Sequence, residues 1–509
     1  MNSKVDFAKK NVFYVVLFQL TNILVKFVMR TAFVYYLGKQ YLGISGVFSN
    51  VISILSLSEL GLGSAIVYDL YEPLKNKDYE RICRLMKYYR KIYSVIGGFI
   101  FIAGFCLIPF LPFILTDVPD VANINIIYML FLLNTSLSYF FAQYTTIITA
   151  DQKNYVITKY QLIFSVIKAI IETIILMLTQ NYILYLVIEI VLSLFCNVCI
   201  FLHAKSLFPF LGQRSVQVDV FCKEKIWDNA LSTSSIKIGA TVVVGTDNLI
   251  ISSFVSTIIA GVYSNYAMII SIIQNATLMI ENAVIAGIGN VCTEHEAYKY
   301  KREVFYKLQF LFATLYVFIF SGLIAGFQPF IKFWVGKEYL LPFNAVIVIA
   351  FNCYLAGMHQ PIETYVFADG LFQHFKFKPW IEAILNLFIS IILAKKIGII
   401  GVLLGTTISN LFTTFWFDAL IVYRYSFNSI FSEYIRRYFG YIVTTFVAAF
   451  FSYKGNVVLL KNVDNPILQL LCIMMITLLL SGGIWLLVYH KTSEYRYLKN
   501  LIKKNIKRV

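Results

Sequence analysis

The sequence predicts an all-α integral membrane protein of about fourteen transmembrane helices, built as two six-helix lobes, parallel repeats around a central cavity, plus two C-terminal helices. Three observations predict it. Apolar runs recur at 20–30-residue intervals almost to the end of the 509 residues, leaving no room for a separate soluble domain. Hydrophobic residues make up 59% of the chain and charged residues 14%, whereas a soluble chain carries roughly a quarter charged residues. Short motifs also recur in the same order, six spans apart. A closed barrel would need short alternating strands, so helices are the spanning structure this pattern supports.

The expected spans lie near 11–37, 43–71, 90–115, 122–149, 155–178, 181–203, 228–254, 258–290, 306–331, 340–368, 379–395, 398–423, 437–453 and 466–490. Several exceed the roughly 20 residues needed to cross, which implies tilt or projection from the bilayer. Lys4, Lys9 and Lys10 precede the first run as they would in a signal peptide, but the run is too long and no small-residue cleavage site follows. With a cytosolic N-terminus, and with residues at span edges counted on the side they face, 32 of the 43 Lys and Arg residues fall inside, seven outside and four deep within spans. The densest inner segments, 72–91 and 491–509, hold seven each. This bias places both termini of a multi-pass protein in the cytoplasm. It also accounts for most of the +16 net charge as a topology signal with contact to membrane lipids, not as nucleic-acid binding. None of the eight cysteines sits in an expected outer loop, so no external disulfide framework is implied.

The repeat pairs Gly46-Val47-Phe48-Ser49-Asn50 with Gly261-Val262-Tyr263-Ser264-Asn265, Gly61-Leu62-Gly63 with Gly287-Ile288-Gly289, and Ala150-Asp151 with Ala368-Asp369. An even offset means both halves enter from the same side, so they are expected to be related by an axis along the membrane normal. The resulting organisation is an N-terminal lobe over 1–205, a cytoplasmic linker over 206–227 and a C-terminal lobe over 228–424. Two extra helices over 425–490 and a basic tail over 491–509 complete it.

Polar residues fall on stripes at helical spacing. The first span carries Gln19, Asn22, Lys26 and Arg30; the fifth carries Thr158, Gln161, Ser165, Lys168 and Glu172; the seventh carries Ser234, Lys237 and Thr241, with Asp247 and Asn248 further on. The second adds Ser45, Ser49, Ser56 and Glu59, the eighth Gln274 and Glu281, and the tenth Asn352, His359 and Glu363. A charge at mid-bilayer costs roughly 2.5–3.5 kcal/mol on insertion scales, so such residues usually face water, a partner or a substrate. Lys26, Arg30, Lys168 and Lys237 are therefore the candidate anion-binding residues. Glu59, Glu172, Asp247, Glu281 and Glu363 are candidates for polar lining or ion coupling, with Na+ or H+ as the ion. Each has a plainer reading. Lys168 and Glu172, one turn apart, can pair locally, Arg30 can snorkel to the interface, and span-two hydroxyls can serve a tight helix contact. Lys26 and Arg30 repel each other at i, i+4 and need a partner elsewhere.

Other chemistries lack their residues. There is no G-x-x-x-x-G-K-[ST] phosphate loop. The five histidines lack zinc-ligand or catalytic spacing, His359 and Glu363 look like a polar core pair, and Cys196 and Cys199 look like small core residues. No cofactor, metal or catalytic residue is expected, and the chain is not expected to be an enzyme.

The segments Gly43-Ile44-Ser45-Gly46-Val47-Phe48-Ser49-Asn50, Ser58-Glu59-Leu60-Gly61-Leu62-Gly63-Ser64-Ala65 and Ala150-Asp151-Gln152-Lys153-Asn154-Tyr155 resemble the Wzx-type lipid-linked oligosaccharide flippases of the MOP superfamily. Gly261-Val262-Tyr263-Ser264-Asn265-Tyr266, Ile288-Gly289-Asn290 and Gly398-Ile399-Ile400-Gly401-Val402 extend the resemblance through the twelfth span. It implies a V-shaped pair of lobes that moves undecaprenyl-diphosphate-linked oligosaccharide from the inner to the outer leaflet by alternating access. The cavity cations carried over are Lys26, Arg30, Lys168 and Lys237, with Lys26, Arg30 and Lys237 expected to share the diphosphate. The rivals are a multidrug exporter of the same superfamily, which usually has a carboxylate-dominated cavity, and a polytopic polysaccharide polymerase or acyltransferase.

Overall fold

The computed structural model describes residues 2–56, 62–117, 121, 123–212, 245–292, 298–375, 377–461 and 463–506, and no strand occurs among them. Eleven of the described helices are long and apolar enough to cross a membrane, or twelve if the bent pair Ile124–Tyr139 and Ala142–Ala150 counts as one span. The first of these, Phe13–Leu55, covers the first expected span and part of the second. Most of the seventh expected span, 228–254, lies outside the described residues. The chain divides into two compact units, Met1–Ser264 and Asn265–Val509.

Unit 1 begins with α1 (Asn2–Leu55), which turns at Gly38, where φ is 77°. Only glycine adopts that conformation without a Cβ penalty, so one residue separates the first span from the second. Then come α2 (Leu62–Asn76), α3 (Tyr79–Cys106), α4 (Ile124–Tyr139), α5 (Ala142–Ala150), α6 (Asn154–Thr179) and α7 (Tyr182–Leu207). The unit closes with α8 (245–254) and the start of α9 (Thr257–Cys292). Caps fix several starts: Asp78 accepts from the Arg81 amide at 3.0 Å at the head of α3, and Asn181 accepts from the Leu184 amide at 3.1 Å at the head of α7.

The division between units falls inside α9 because its first turns pack on α1. A Cβ at Gly261 would lie 2.5 Å from the Gly43 amide nitrogen and 2.9 Å from the Lys39 carbonyl, and one at Gly43 would collide with the Thr257 carbonyl. The Gly46 and Gly261 motifs that repeat in the sequence are thus a small-residue helix contact. Beside it, Ser252 Oγ donates to the Ile114 carbonyl at 2.8 Å and Thr257 Oγ1 donates to the Thr116 carbonyl at 2.6 Å.

Unit 2 holds the rest of α9, then α10 (Tyr298–Trp334), α11 (Phe343–Ala368), α12 (Lys378–Ile397), α13 (Ile399–Phe412) and α14 (Thr414–Tyr425). It ends with α15 (Ser432–Leu459), α16 (Pro466–Tyr489) and the short α17 (Ser493–Ile506). The expected thirteenth and fourteenth spans are α15 and α16, and both pack on α10. Trp485 is 2% exposed and stacks on Phe310 at 5.6 Å, with Tyr441 and Tyr489 around it. Burying such rings helps fix these two helices against α10. In the α12–α13 hairpin, a Cβ at Gly401 would lie 2.8 Å from the Ala394 amide nitrogen and one at Gly405 would lie 2.8 Å from Ser390 Cα.

Candidate functional site

α1 and α6 pack side by side and run in parallel. Asn11 donates to the Gln152 carbonyl at 2.9 Å and accepts from the Tyr155 amide at 2.7 Å, while Thr173 Oγ1 reaches Met29 Sδ at 3.7 Å. These pairs share an offset of 141 to 144 residues, so Lys26 stands at the level of Ile167 to Ile170 and Arg30 about one turn further along. Lys26 is exposed; Arg30 and Lys168 are half-buried.

The third wall is α7. Lys168 Nζ donates to Ser193 Oγ at 2.6 Å and shares an electrostatic neighbourhood with Glu172 and Glu189. Glu172 is 3% exposed, lies within electrostatic reach of Tyr185, and keeps Oε1 without a hydrogen-bond partner among the described residues. Arg30 Nη1 donates to Ser264 Oγ at 3.3 Å, and its charge faces Tyr182 and Tyr185, whose rings pack on Phe33 at 5.3 and 6.0 Å.

Among the described residues, neither Arg30 nor Lys168 has a carboxylate within ion-pair distance, and each bonds a neutral hydroxyl. An ammonium has three donors and a guanidinium five, so both retain unused donors. Glu172 and Glu189 add carboxyl groups a short way off, giving a mixed band of cations, carboxyls and phenols.

Other stripe residues have local work. Ser49 donates to the Ser45 carbonyl at 2.7 Å, Thr158 to that of Asn154 at 3.2 Å and Ser165 to that of Leu162 at 2.8 Å. Asn352 bonds the Leu403 carbonyl at 3.0 Å and accepts from Thr407 at 2.6 Å, tying α11 to α13. Asp247 is buried near Tyr263. Lys237, Glu59, Ser234 and Thr241 lie outside the described residues.

Glu281, His359 and Glu363 belong to a second cluster, in unit 2. His359 Nδ1 is 3.9 Å from Glu363, but its nearer partner is Asp418, whose Oδ2 lies 2.8 Å from Nε2. Lys378 Nζ contacts the same Oδ2 at 3.0 Å and Glu382 Oε2 at 3.3 Å, and Thr414 donates to Glu382 Oε2 at 2.8 Å. Glu281 is buried within electrostatic reach of Glu363 and His359.

Sequence reading missed Tyr182, Tyr185, Glu189 and Ser193, although with Cys196 they follow i, i+3, i+7, i+11, i+14 along α7. It also missed Lys378, at the start of α12, with Glu382 one turn on and Asp418 within α14.

No protein-family model matches the sequence, and no curated protein matches it. The fold does match solved structures. Over 96% of this chain and 99% of the other, it superposes on the lipid II flippase MurJ in an inward closed conformation, with a TM-score of 0.67 and 17% identity. An inward-facing multidrug resistance MATE family transporter of the MOP superfamily matches with a TM-score of 0.59 and 13% identity, over 76% of this chain and 91% of that one. The MATE multidrug transporter DinF-BH matches with a TM-score of 0.57 and 15% identity, over 82% of this chain and 97% of that one. The chain thus has the all-helical, multi-pass fold of the MOP-type transporters.

Proposed function

We propose that this protein is a flippase that moves undecaprenyl-diphosphate-linked oligosaccharide from the cytoplasmic to the outer leaflet of a bacterial cell membrane by alternating access, with both termini cytoplasmic. The observation that carries this reading is the pair Arg30 and Lys168, membrane-embedded cations bonded to neutral hydroxyls and left with unused donors. A diphosphate offers several charge-assisted acceptors at once, and the guanidinium can take two of them as a fork. Lys26, at the level of Lys168, and Lys237 complete the proposed set of cations. The tyrosines and serines of α7 suit a glycan, and the near-complete match in length to a lipid flippase supports a lipid-linked substrate.

A multidrug exporter is the second reading, favoured by Glu172 and Glu189, carboxylates that could hold a cationic drug. The deciding experiment reconstitutes the full chain in vesicles carrying glycan-linked polyprenyl diphosphate and measures glycan accessible in the far leaflet. Protein-dependent appearance of glycan is expected. Export of a cationic dye without glycan movement would establish the second reading instead.

A further inference from the structure

The cations of the two units are used differently. Arg30 and Lys168 bond neutral hydroxyls, whereas Lys378 is consumed by two carboxylates inside unit 2. A buried charge network of this kind is expensive in a membrane protein, and breaking one partner away typically costs several kcal/mol. It holds a histidine whose two ring nitrogens both face acids. Nε2 lies 2.8 Å from Asp418 on α14, and Nδ1 lies 3.9 Å from Glu363, one turn along α11. Lys378 and Glu382 face the same Asp418 from α12, Glu281 comes from α9, and Tyr434 stands beside Asp418 from α15.

We infer that His359 and Asp418 form a proton-binding site in unit 2, with Glu363 as its antenna to water and Lys378 as a fixed counter-cation. The Glu363 side chain is 39% exposed while that of Asp418 is 5% exposed, so a proton reaches the pair through Glu363. Neutral His359 donates Nε2–H to Asp418 Oδ2 and presents the Nδ1 lone pair towards Glu363. Uptake adds one proton at Nδ1, and release returns the same proton, so no other bond changes. Two carboxylates (Asp418 and Glu382) face the one ammonium and Glu363 faces His359, so protonation of the histidine reduces the uncompensated negative charge by one. Asp418 Oδ1 is buried without a hydrogen-bond partner among the described residues, so this carboxylate has capacity to respond when its histidine becomes charged.

The same geometry selects the ion. The Lys378 ammonium already sits between Asp418 Oδ2 and Glu382 Oε2, where a sodium ion would have to gather its oxygens. The exchangeable cation is therefore a proton. That this proton drives substrate movement rests on the flippase reading; its binding does not.

The test is proton uptake by the purified full chain after a pH drop, counted with an indicator dye, for wild type, His359→Gln and Glu363→Gln. His359→Gln keeps a donor for Asp418, and far-UV circular dichroism and elution volume confirm that each variant is folded. The expected result is about one proton fewer per chain for His359→Gln. Glu363→Gln should slow uptake in stopped flow, and saturating sodium should leave the wild-type count unchanged. Equal uptake by wild type and His359→Gln, or protons released by sodium, would overturn the site. Protein that takes up this proton in vesicles but moves no glycan would refute the flippase reading alone.

Discussion

At the scale of single residues, the distinction that matters is between cations whose charge is used up and cations whose charge is not. Lys168 and Arg30 bond Ser193 and Ser264, while Lys378 lies between two carboxylates. Lys168→Ala should reduce glycan movement while leaving protein in the membrane at wild-type abundance, as measured by transport in vesicles alongside quantitative blotting. If abundance fell and recovered in the Lys168→Ala, Glu172→Ala double variant, the pair would be structural. Lys168 was legible because the α6 stripe repeats at helical spacing in a span where charge is costly. Its partner Ser193 was not, because nothing in the sequence gives the rotation of α7 against α6. His359 was legible as a polar core residue, but its main partner stands 59 residues later on another helix.

At the scale of elements, the boundaries of several spans were legible and helix contacts were not. The expected spans 155–178, 181–203 and 466–490 correspond to Asn154–Thr179, Tyr182–Leu207 and Pro466–Tyr489. Hydropathy cannot show that the Gly46 and Gly261 motifs touch, nor that Gly38 turns one helix into two spans. Gly261→Val would drive side-chain atoms into the α1 backbone, and overpacking of this kind costs about 1–3 kcal/mol. The variant should lower the thermal midpoint of the purified protein, with Gly98→Val, where the added atom meets open space, as control. The amphipathic α17 offers a pH test. Burial alone would raise the Glu494 carboxyl, but the hydrogen bond from Arg437 at 2.8 Å and the charge of that residue hold it below the ordinary carboxylate range. A lowered folded value means the docking contribution is present above the unfolded carboxylate value, about 4.3, and is lost as pH falls through the lower folded one. The protection of α17 amides, corrected for the intrinsic pH dependence of exchange, should therefore be unchanged across neutral pH and fall under acid, and Glu494→Gln should show the acid level at pH 7.

At the scale of the whole molecule, the fold follows from composition and patterning, while the choice of substrate depends on a few side chains that the fold brings together. The lipid flippase and the multidrug transporters share one architecture with this chain, so fold alone does not separate their cargo. The separation lies in whether unit 1 engages an anion through its cations or a cation through Glu172 and Glu189. The most direct measurement is equilibrium binding of polyprenyl diphosphate against polyprenyl monophosphate to the purified protein, for wild type, Arg30→Ala, Arg30→Lys and Lys168→Ala. A charge-assisted hydrogen bond is worth roughly 1.5–3 kcal/mol, so each alanine variant should weaken diphosphate binding by about tenfold or more. Arg30→Lys should restore binding only in part, since a point charge loses the fork. Tighter binding of the diphosphate, lost in these variants, is the predicted result; equal affinity for both lipids, unchanged by all three substitutions, would contradict it.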